Sequence, residues 1–335
     1  MAIQGTTAQL TPEQIKTFHQ EGYMVIDRLF RDEDLAPVID EISAEVDKRA
    51  RALHAAGELS RLYDEEGFET RLAQISRETD KVALAIWDGV LHGPAMFNLI
   101  RNENLLRVAC QLCGTEELIA SSVYRLRPKV PFHRHGPVPW HQDSGYFEPY
   151  CDKALVLTVW IPFVDATPER GCMWVLPRGH LQGKVLHHQA DRVGRYLEIP
   201  ESELPAGLTP RCTPVKKGGA LLMTNLTPHA SFENSTGIVR WSMDLRYQSA
   251  ALPTNARITR LEGETVGDEG RGVPVACFPP EADFLVHSRA RPEQVLRDPV
   301  AFARLRETHG THKVTKRWGE GSYKHAQETL PSAAT

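Results

Sequence analysis

The sequence predicts a mainly β protein: a jelly roll with a group of N-terminal helices packed outside it. Up to about residue 115 the chain shows helical hydrophobic spacing and helix-capping signals. After residue 118 it changes to short β-rich runs separated by Pro, Gly and polar turns, which favours a sandwich or barrel over a doubly wound sheet. The chain has no internal repeat and no coiled-coil heptad. We therefore expect one catalytic domain over residues 1–335.

The N-terminal part, about residues 10–115, begins with clear helix punctuation. Thr11 precedes Pro12 and stands three residues before Gln14, which predicts an N-cap, a first-turn proline and a capping box. This helix should end near Gly22, and the run YMVID should form a strand. Residues 57–115 look mainly helical, with a strand-like interruption around VALAIWD. A second helix should open at Asp32 with these residues on its apolar face: Leu35, Val38, Ile39, Ile42 and Val46.

The predicted jelly-roll core, about residues 118–250, contains five β-rich runs. These are ELIASSVYRLRP, ALVLTVWIPFVD, CMWVLP, GALLMTN and IVRWSMDLRYQ. Residues 251–335 are polar and rich in loop formers, with one probable helix in DPVAFARLRETH. We interpret them as a C-terminal extension of loop and helix.

Composition excludes several classes of function. A formal charge of −4 and an isoelectric point near 6.4 give no basic field for nucleic acid or an acidic membrane. No apolar run approaches the roughly 18 residues of a spanning helix. The N-terminus lacks the features of a signal peptide, and six scattered cysteines suit thiols in a reducing compartment. We expect a cytoplasmic protein whose partner is a small molecule.

The segment PWHQDSGYF places His141 and Asp143 two residues apart. On an extended segment both side chains point to the same face, about 6.6 Å apart along the strand, so they could converge on one ion. An H-x-D match is common by chance, and two ligands are too few for a catalytic metal. A third ligand is needed from elsewhere in the chain.

The best third ligand is His229, which follows an apolar strand and precedes the turn-rich run ENSTG. A hairpin centred between Asn234 and Ser235 would place Arg240 directly opposite His229. On the returning strand, Arg240, Ser242 and Asp244 share the inner face. The outer face, against the helices, would be formed by Trp241, Met243, Leu245 and Tyr247.

Two histidines and one carboxylate that leave open positions are typical of non-haem Fe(II) oxygenases. A guanidinium beside them can bind a carboxylate bidentately, such as that of a 2-oxo acid whose other end chelates iron. Ser231, on the face of His229, could add a hydroxyl donor. Taken singly, a histidine such as His229 is more often a core residue with satisfied hydrogen bonds, and an arginine such as Arg240 is more often a surface ion-pair residue. A cupin-like isomerase or hydrolase that does not use 2-oxoglutarate stays open, as does a non-catalytic metal or 2-oxoglutarate-binding module.

Four stretches carry a resemblance to a known family: LTPEQIKTFHQEGYMVIDRLF, PWHQD, LTVWIPFVDATPERGCMWVLPRGH and PHASFENSTGIVRWSMDLRY. In order and spacing, from about residue 10 to 248, they resemble the phytanoyl-CoA dioxygenase family of Fe(II)/2-oxoglutarate-dependent oxygenases. The resemblance implies a cupin-like double-stranded β-helix, with His141, Asp143 and His229 as iron ligands. It also implies that Arg240, assisted by Ser231, holds the distal carboxylate of 2-oxoglutarate.

The resemblance extends to two further co-substrate residues and to the reaction. Trp160 resembles a family tryptophan near 2-oxoglutarate, although a core aromatic fits equally well. Lys81, in TDKVAL, resembles a family lysine that binds the C1 carboxylate of 2-oxoglutarate. The simpler interpretation of Lys81 is an exposed surface lysine. Related halogenases have a small residue where this chain has Asp143, so the resemblance implies hydroxylation or another oxidation. That reaction consumes O2 and 2-oxoglutarate and releases succinate and CO2.

Residues that could contact substrate are less sharply defined. Tyr146 and Phe147 follow the H-x-D segment, Tyr124 lies on the preceding strand, and His135 lies in a turn-rich loop beside the site. Gln142 and Trp140 are candidates for orienting the metal ligands. No Gly-rich phosphate loop is visible, which favours a free small organic molecule over a CoA ester.

Overall fold

The structure is a computed structural model that describes residues 9–87, 89–121, 124–133, 136–147, 152–190, 196–252 and 283–309. Its helices are α1 (Pro12–Glu21), α2 (Asp32–Ala55), α3 (Arg71–Ile75), α4 (Lys81–Trp87), α5 (Pro94–Ile100), α6 (Glu103–Cys113) and α7 (Pro299–His309). Its strands are β1 (Tyr23–Ile26), β2 (Glu117–Ser121), β3 (Arg125–Lys129), β4 (Val138–His141), β5 (Val156–Pro162), β6 (Met173–Val175), β7 (Gln189–Ala190), β8 (Leu197–Glu198), β9 (Arg211–Thr213), β10 (Ala220–Thr224), β11 (His229–Ser231), β12 (Arg240–Ser249) and β13 (Asp283–Ser288).

Two antiparallel sheets form the β core. The large sheet has the order β1-β10-β5-β12-β2-β13, with β3 paired to the first half of β12. The small sheet has the order β4-β11-β6-β9, and β7 and β8 form a separate pair. The chain passes between the two sheets at β3–β4, β4–β5, β5–β6, β9–β10, β10–β11 and β11–β12, which is the winding of a jelly roll. The predicted fold class is confirmed, as two open sheets rather than a closed barrel.

The main hydrophobic core lies between the helices and the outer face of the large sheet. The alternation predicted for β12 is present: Trp241, Met243, Leu245 and Tyr247 all join this core. Trp241 stacks on Phe68 and donates from Nε1 to its carbonyl, and the Tyr247 hydroxyl donates to the carbonyl of Ile100 at the end of α5. The helices therefore hold β12 rigidly, with its other face turned inward.

The N-terminal predictions are largely confirmed. The Thr11–Gln14 capping box is present, Gly22 closes α1 at φ 82°, and α2 begins at Asp32. The strand after α1 joins the large sheet beside β10. The strand-like interruption around VALAIWD is wrong, because Lys81–Trp87 forms α4. Val82, Ala83 and Ile86 are buried together, which is the spacing of one helical face.

The predicted hairpin between His229 and Arg240 is also wrong. β11 lies in the small sheet, whereas β12 lies in the large sheet, and Arg240 is opposite Lys129 of β3. The connecting segment does not form a tight turn. The side-chain amide of Asn234, within it, donates to the carbonyls of Lys129 and Ile238. Residues 232–239 therefore cross from one sheet to the other.

The C-terminal part contributes more than loops. α7 confirms the helix predicted in DPVAFARLRETH. β13 was not predicted, and it adds an edge strand to the large sheet beside β2. Within the described ranges, no helix is both long and apolar enough to cross a membrane.

Candidate active site

Three buried side chains meet where the edge strand β4 of the small sheet lies beside β11. β4 ends at His141, β11 begins at His229, and these two residues are direct partners in the strand register. Asp143 lies two residues after His141, at the first position of a 3-10 turn. Their ligand atoms all lie within 4.8 Å of one another. His229 Nε2 is 3.9 Å from Asp143 Oδ1, and the two imidazole centroids are 4.1 Å apart.

Both histidines are oriented by the backbone two residues before them. His141 Nδ1 is 2.8 Å from the carbonyl of Pro139, and His229 Nδ1 is 2.9 Å from that of Thr227. A carbonyl only accepts, so each Nδ1 carries the hydrogen and each Nε2 keeps a lone pair. Burial, together with the neighbouring His229, holds the pKa of His141 well below its ordinary value. Each histidine therefore offers its Nε2 to the cluster as a nitrogen ligand.

Asp143 is held by a donor on each carboxylate oxygen. Thr158 Oγ1 donates to Oδ2, and Arg246 Nη2 donates to Oδ1 across 3.1 Å. Thr158 and Arg246 are themselves register partners between β5 and β12. Burial alone would raise the pKa of Asp143, but Arg246, the two histidines and Thr158 lower it below its usual range. The carboxylate is thus ionised and fixed in orientation.

This donor set fits Fe(II). Two imidazole nitrogens and one carboxylate on the same side of an ion leave further coordination positions free, as in the facial sites of non-haem iron oxygenases. Each ligand also has the outer hydrogen bond that metal sites require to fix tautomer and orientation.

The cluster lines a narrow cavity between the sheets, of about 30 Å³. Arg240, Ser231 and Trp160 line it together with the three ligands. Arg240 is buried, its Cζ lies 5.1 Å from the Trp160 ring centre, and its Nη1 donates to Ser242. Its Nε has no hydrogen-bond partner. Burial, with the nearby charge of Arg127, lowers the pKa of Arg240 to about 9.

The structure does not bring Lys81 to this cavity. Lys81 is the first residue of α4, its side chain is 61% exposed, and its ammonium pairs with Glu58. The assignment to the C1 carboxylate of 2-oxoglutarate is therefore corrected. Helix α4 packs on the outer side of β3, which directs a lysine at its start away from the space between the sheets.

Tyr124 is also absent from the cavity. It is buried in the main core, stacked near Phe302 of α7, and its hydroxyl donates to the carbonyl of Leu91. The structure therefore corrects its assignment as a substrate contact: Tyr124 directly precedes β3 and its side chain lies on the helix-covered side of the large sheet.

The other substrate candidates have mixed positions. The Tyr146 ring lies edge-on to His141 at 5.9 Å, and its hydroxyl accepts from the amide of Leu197. Phe147 is buried against Val156 and does not line the cavity. His135 lies outside the described residues.

Gln142 is fully buried and joins two segments near the site. Its amide donates to the carbonyl of Leu226 and accepts from the backbone of Leu186, each at 2.7 Å. It therefore supports the loop that leads to His229. Trp140 is half-buried, and its backbone carbonyl accepts from Ile199.

Sequence reasoning missed four residues of this site: Thr158, Arg246, Arg127 and Lys129. Arg246 continues the inner face of β12 beyond Asp244, and Thr158 stands two residues before Trp160, so strand alternation could have identified both. Arg127 forms a two-point ion pair with Asp244, with Nε–Oδ1 at 2.8 Å. Lys129 contacts Ser231. The β3 residues could be placed only once β3 was known to pair with β12.

Comparison with known proteins is consistent with this site. The family model for phytanoyl-CoA dioxygenase (PhyH) matches residues 18–242. A phytanoyl-CoA dioxygenase of Arabidopsis thaliana is 26% identical over 198 residues, covering 54% of this chain and 69% of that protein. A probable alpha-ketoglutarate-dependent hypophosphite dioxygenase of Stutzerimonas stutzeri is 26% identical over 243 residues, covering 71% and 78% respectively.

Solved structures agree on the fold. The apo form of the non-haem monooxygenase ThoJ matches with a TM-score of 0.56 at 16% identity, covering 94% of this chain and 96% of that one. EvdO2 of Micromonospora carbonacea var. aurantiaca, complexed with 2-oxoglutarate, matches with a TM-score of 0.50 at 20% identity, covering 78% and 98%. The family model spans well over half of the chain and includes all three clustered ligands. The chain therefore belongs to the phytanoyl-CoA dioxygenase family of Fe(II)- and 2-oxoglutarate-dependent oxygenases.

Proposed function

We propose that this oxygenase hydroxylates a small organic molecule, with His141, Asp143 and His229 holding the iron. The main support is the presence, in one buried cavity, of the three ligands and of Arg240 with an unused Nε donor. A buried guanidinium that lacks a carboxylate partner is costly unless a ligand supplies the anion. A 2-oxo acid with a second carboxylate supplies it while its keto-acid end reaches the metal.

The chain's residues divide the work of binding. Arg240 and Ser231 bind the distal carboxylate of 2-oxoglutarate, and Trp160 packs against the guanidinium that holds it. Thr158 and Arg246 keep the Asp143 carboxylate in place while the backbone carbonyls fix both imidazoles. Bound Fe(II) would supply O2 activation coupled to decarboxylation of 2-oxoglutarate to succinate and CO2.

Two features narrow the reaction and the substrate. Asp143 keeps a carboxylate at the metal where a halogenase needs an open position, so we propose oxygen insertion rather than halogenation. The sequence has no Gly-rich phosphate loop that would hold the nucleotide of a CoA ester. We therefore propose a free small molecule as the substrate rather than a CoA ester.

The chelate can be tested without knowing the substrate. Titration of 2-oxoglutarate into the Fe(II)-loaded protein without O2 should produce a weak visible charge-transfer band, lost in His229→Ala and strongly weakened in Arg240→Met. Arg306→Met is the matched control, because Arg306 is another buried arginine lying over an aromatic ring, Tyr124, but remote from the cavity. A protein that binds iron yet shows no band would favour the isomerase or hydrolase alternative.

Turnover then separates the remaining alternatives. With O2 admitted and no substrate, slow conversion of 2-oxoglutarate to succinate would exclude a non-catalytic binding module. Small molecules that accelerate this conversion are substrate candidates. If the reaction is hydroxylation, a product formed under ¹⁸O2 contains one ¹⁸O atom. A product that loses two hydrogens and gains no ¹⁸O would refute hydroxylation in favour of desaturation.

A further inference from the structure

Lys129 is a buried lysine beside the cavity, and the metal site described above gives it no role. It is 2% exposed, and it is the register partner of Arg240 across β3 and β12. Its ammonium donates to Ser231 Oγ across 2.8 Å and to the carbonyl of Phe232. Among the described residues, no carboxylate forms an ion pair with it. Burial, then the charges of Arg240 and Arg127, hold its pKa well below the ordinary value.

The contact with Ser231 constrains the direction of the serine hydroxyl. In its protonated form, which an anion bound beside it favours, Lys129 only donates, so it occupies a lone pair of Ser231 Oγ, while the single hydroxyl hydrogen must point elsewhere. Ser231 lines the cavity beside Arg240. The hydroxyl hydrogen and the unpartnered Nε of Arg240 are thus two donors at the same end of the cavity that await an acceptor.

The same end of the cavity holds three basic side chains. Arg127 is paired with Asp244, but Lys129 and Arg240 have no carboxylate partner among the described residues. Burial and the neighbouring charges disfavour the protonated form of Lys129, and an incoming anion favours that form while it offsets the burial cost of the Arg240 charge. The arrangement is therefore suited to a ligand group with a full negative charge rather than to a neutral polar group.

We infer that Lys129 is a positioning residue for the co-substrate: it directs the Ser231 hydroxyl at the distal carboxylate of 2-oxoglutarate and adds its charge to that of Arg240. This inference rests on the proposed co-substrate site. It predicts that Lys129 sets selectivity for 2-oxo acids that have a second carboxylate. Lys129 does not touch the metal ligands and leaves the keto-acid end unaffected.

The test compares two ligands in the Fe(II)-loaded protein without O2. 2-Oxopentanoate has the keto-acid end and chain length of 2-oxoglutarate but a methyl group in place of the distal carboxylate. Lys129→Met should weaken 2-oxoglutarate about 10- to 100-fold, the loss expected for a hydrogen-bonded buried charge, and change 2-oxopentanoate by less than about threefold. Affinities are measured from the charge-transfer band and by calorimetry.

Further variants distinguish positioning from a structural role. In a Ser231→Ala background, Lys129→Met should have a smaller effect than in the wild type, because its action through the hydroxyl is already lost. Lys129→Gln keeps a donor without the charge, and should fall between the wild type and Lys129→Met. It also serves if the methionine variant does not fold, as judged by circular dichroism.

Two results would overturn the inference. Equal weakening of both ligands would mean that Lys129 only holds the backbone at Phe232, and an unchanged affinity for 2-oxoglutarate would mean that it does nothing for binding. Failure of the proposed co-substrate site itself is distinguishable, because then the wild-type protein shows no band with either acid.

Discussion

The hydroxyl of Thr158 provides a sharp test of how the metal site is built. Thr158 is buried on β5, and its Oγ1 donates to Oδ2 of Asp143. Thr158→Val replaces the hydroxyl with a methyl group of nearly the same size, so the packing is kept while one hydrogen bond is removed. Because Thr158 is neutral, the change alters no charge beside the metal. We expect the variant to fold and to bind metal more weakly.

The expected size follows from the contact. A hydrogen bond to a charged group contributes about 1.5–3 kcal/mol, and each 1.4 kcal/mol is tenfold in affinity. Arg246 still holds the other oxygen, so the carboxylate stays ionised but can turn. Loss of such an outer partner typically lowers metal affinity about 10- to 100-fold, which agrees with this range.

Metal affinity is measured by calorimetry, by titrating Fe(II) without O2, or Co(II) in air, into the metal-free protein. Thr213→Val is the matched control: Thr213 is also a buried strand threonine, and its Oγ1 donates to the carbonyl of Met173 instead of to a ligand. The Thr213→Val variant should lose about as much stability as Thr158→Val but keep the wild-type metal affinity.

A folded Thr158→Val protein with wild-type metal affinity would refute the reasoning. It would show that the backbone around Asp143 fixes the carboxylate without help. Equal losses in the two threonine variants would refute it differently, by showing that metal affinity follows general stability.

Three further predictions concern other residues of the protein. Lys81→Ala should leave the affinity for 2-oxoglutarate within about twofold in the anaerobic titration, because its ammonium pairs with Glu58 outside the site. Gln142→Leu should lower the free energy of unfolding in urea by about 2–4 kcal/mol, because it leaves the buried carbonyl of Leu226 and the backbone N–H of Leu186 unpaired. Burial, with its neighbour Cys212, raises the pKa of the Cys172 thiol to about 12 from an ordinary value of 9.0. The unfolded chain therefore loses this proton first, and the free energy of unfolding should decline between about pH 9 and pH 12. The decline should be smaller in a Cys172→Ala variant, in which other buried thiols such as Cys110 and Cys113 keep a raised pKa.

Much of the site could be predicted because strand geometry is local. The two-residue period of a β-strand places His141 and Asp143 close together, and the same period separates Arg240, Ser242 and Asp244 from the residues that enter the core. The helix signals at Thr11 and Gln14 are local as well, since a capping box involves only residues within one turn.

The errors arose where partners are distant along the chain. The segment ENSTG has the composition of a tight turn, yet β11 and β12 belong to different sheets, and Arg240 meets Lys129 instead of His229. Lys81 was assigned by motif resemblance, but the packing of α4 on the far side of β3 turns it away from the cavity.

The sequence by itself therefore determined the ligand types, their spacing and the inward face of β12, because each depends on periodicity within one strand. Only the tertiary structure decided which strands are neighbours. Sheet order brings Thr158 and Arg246 to Asp143, and Lys129 to Ser231, across gaps of 15 to 103 residues. Such contacts depend on how the chain passes between the two sheets, and no local pattern encodes that path.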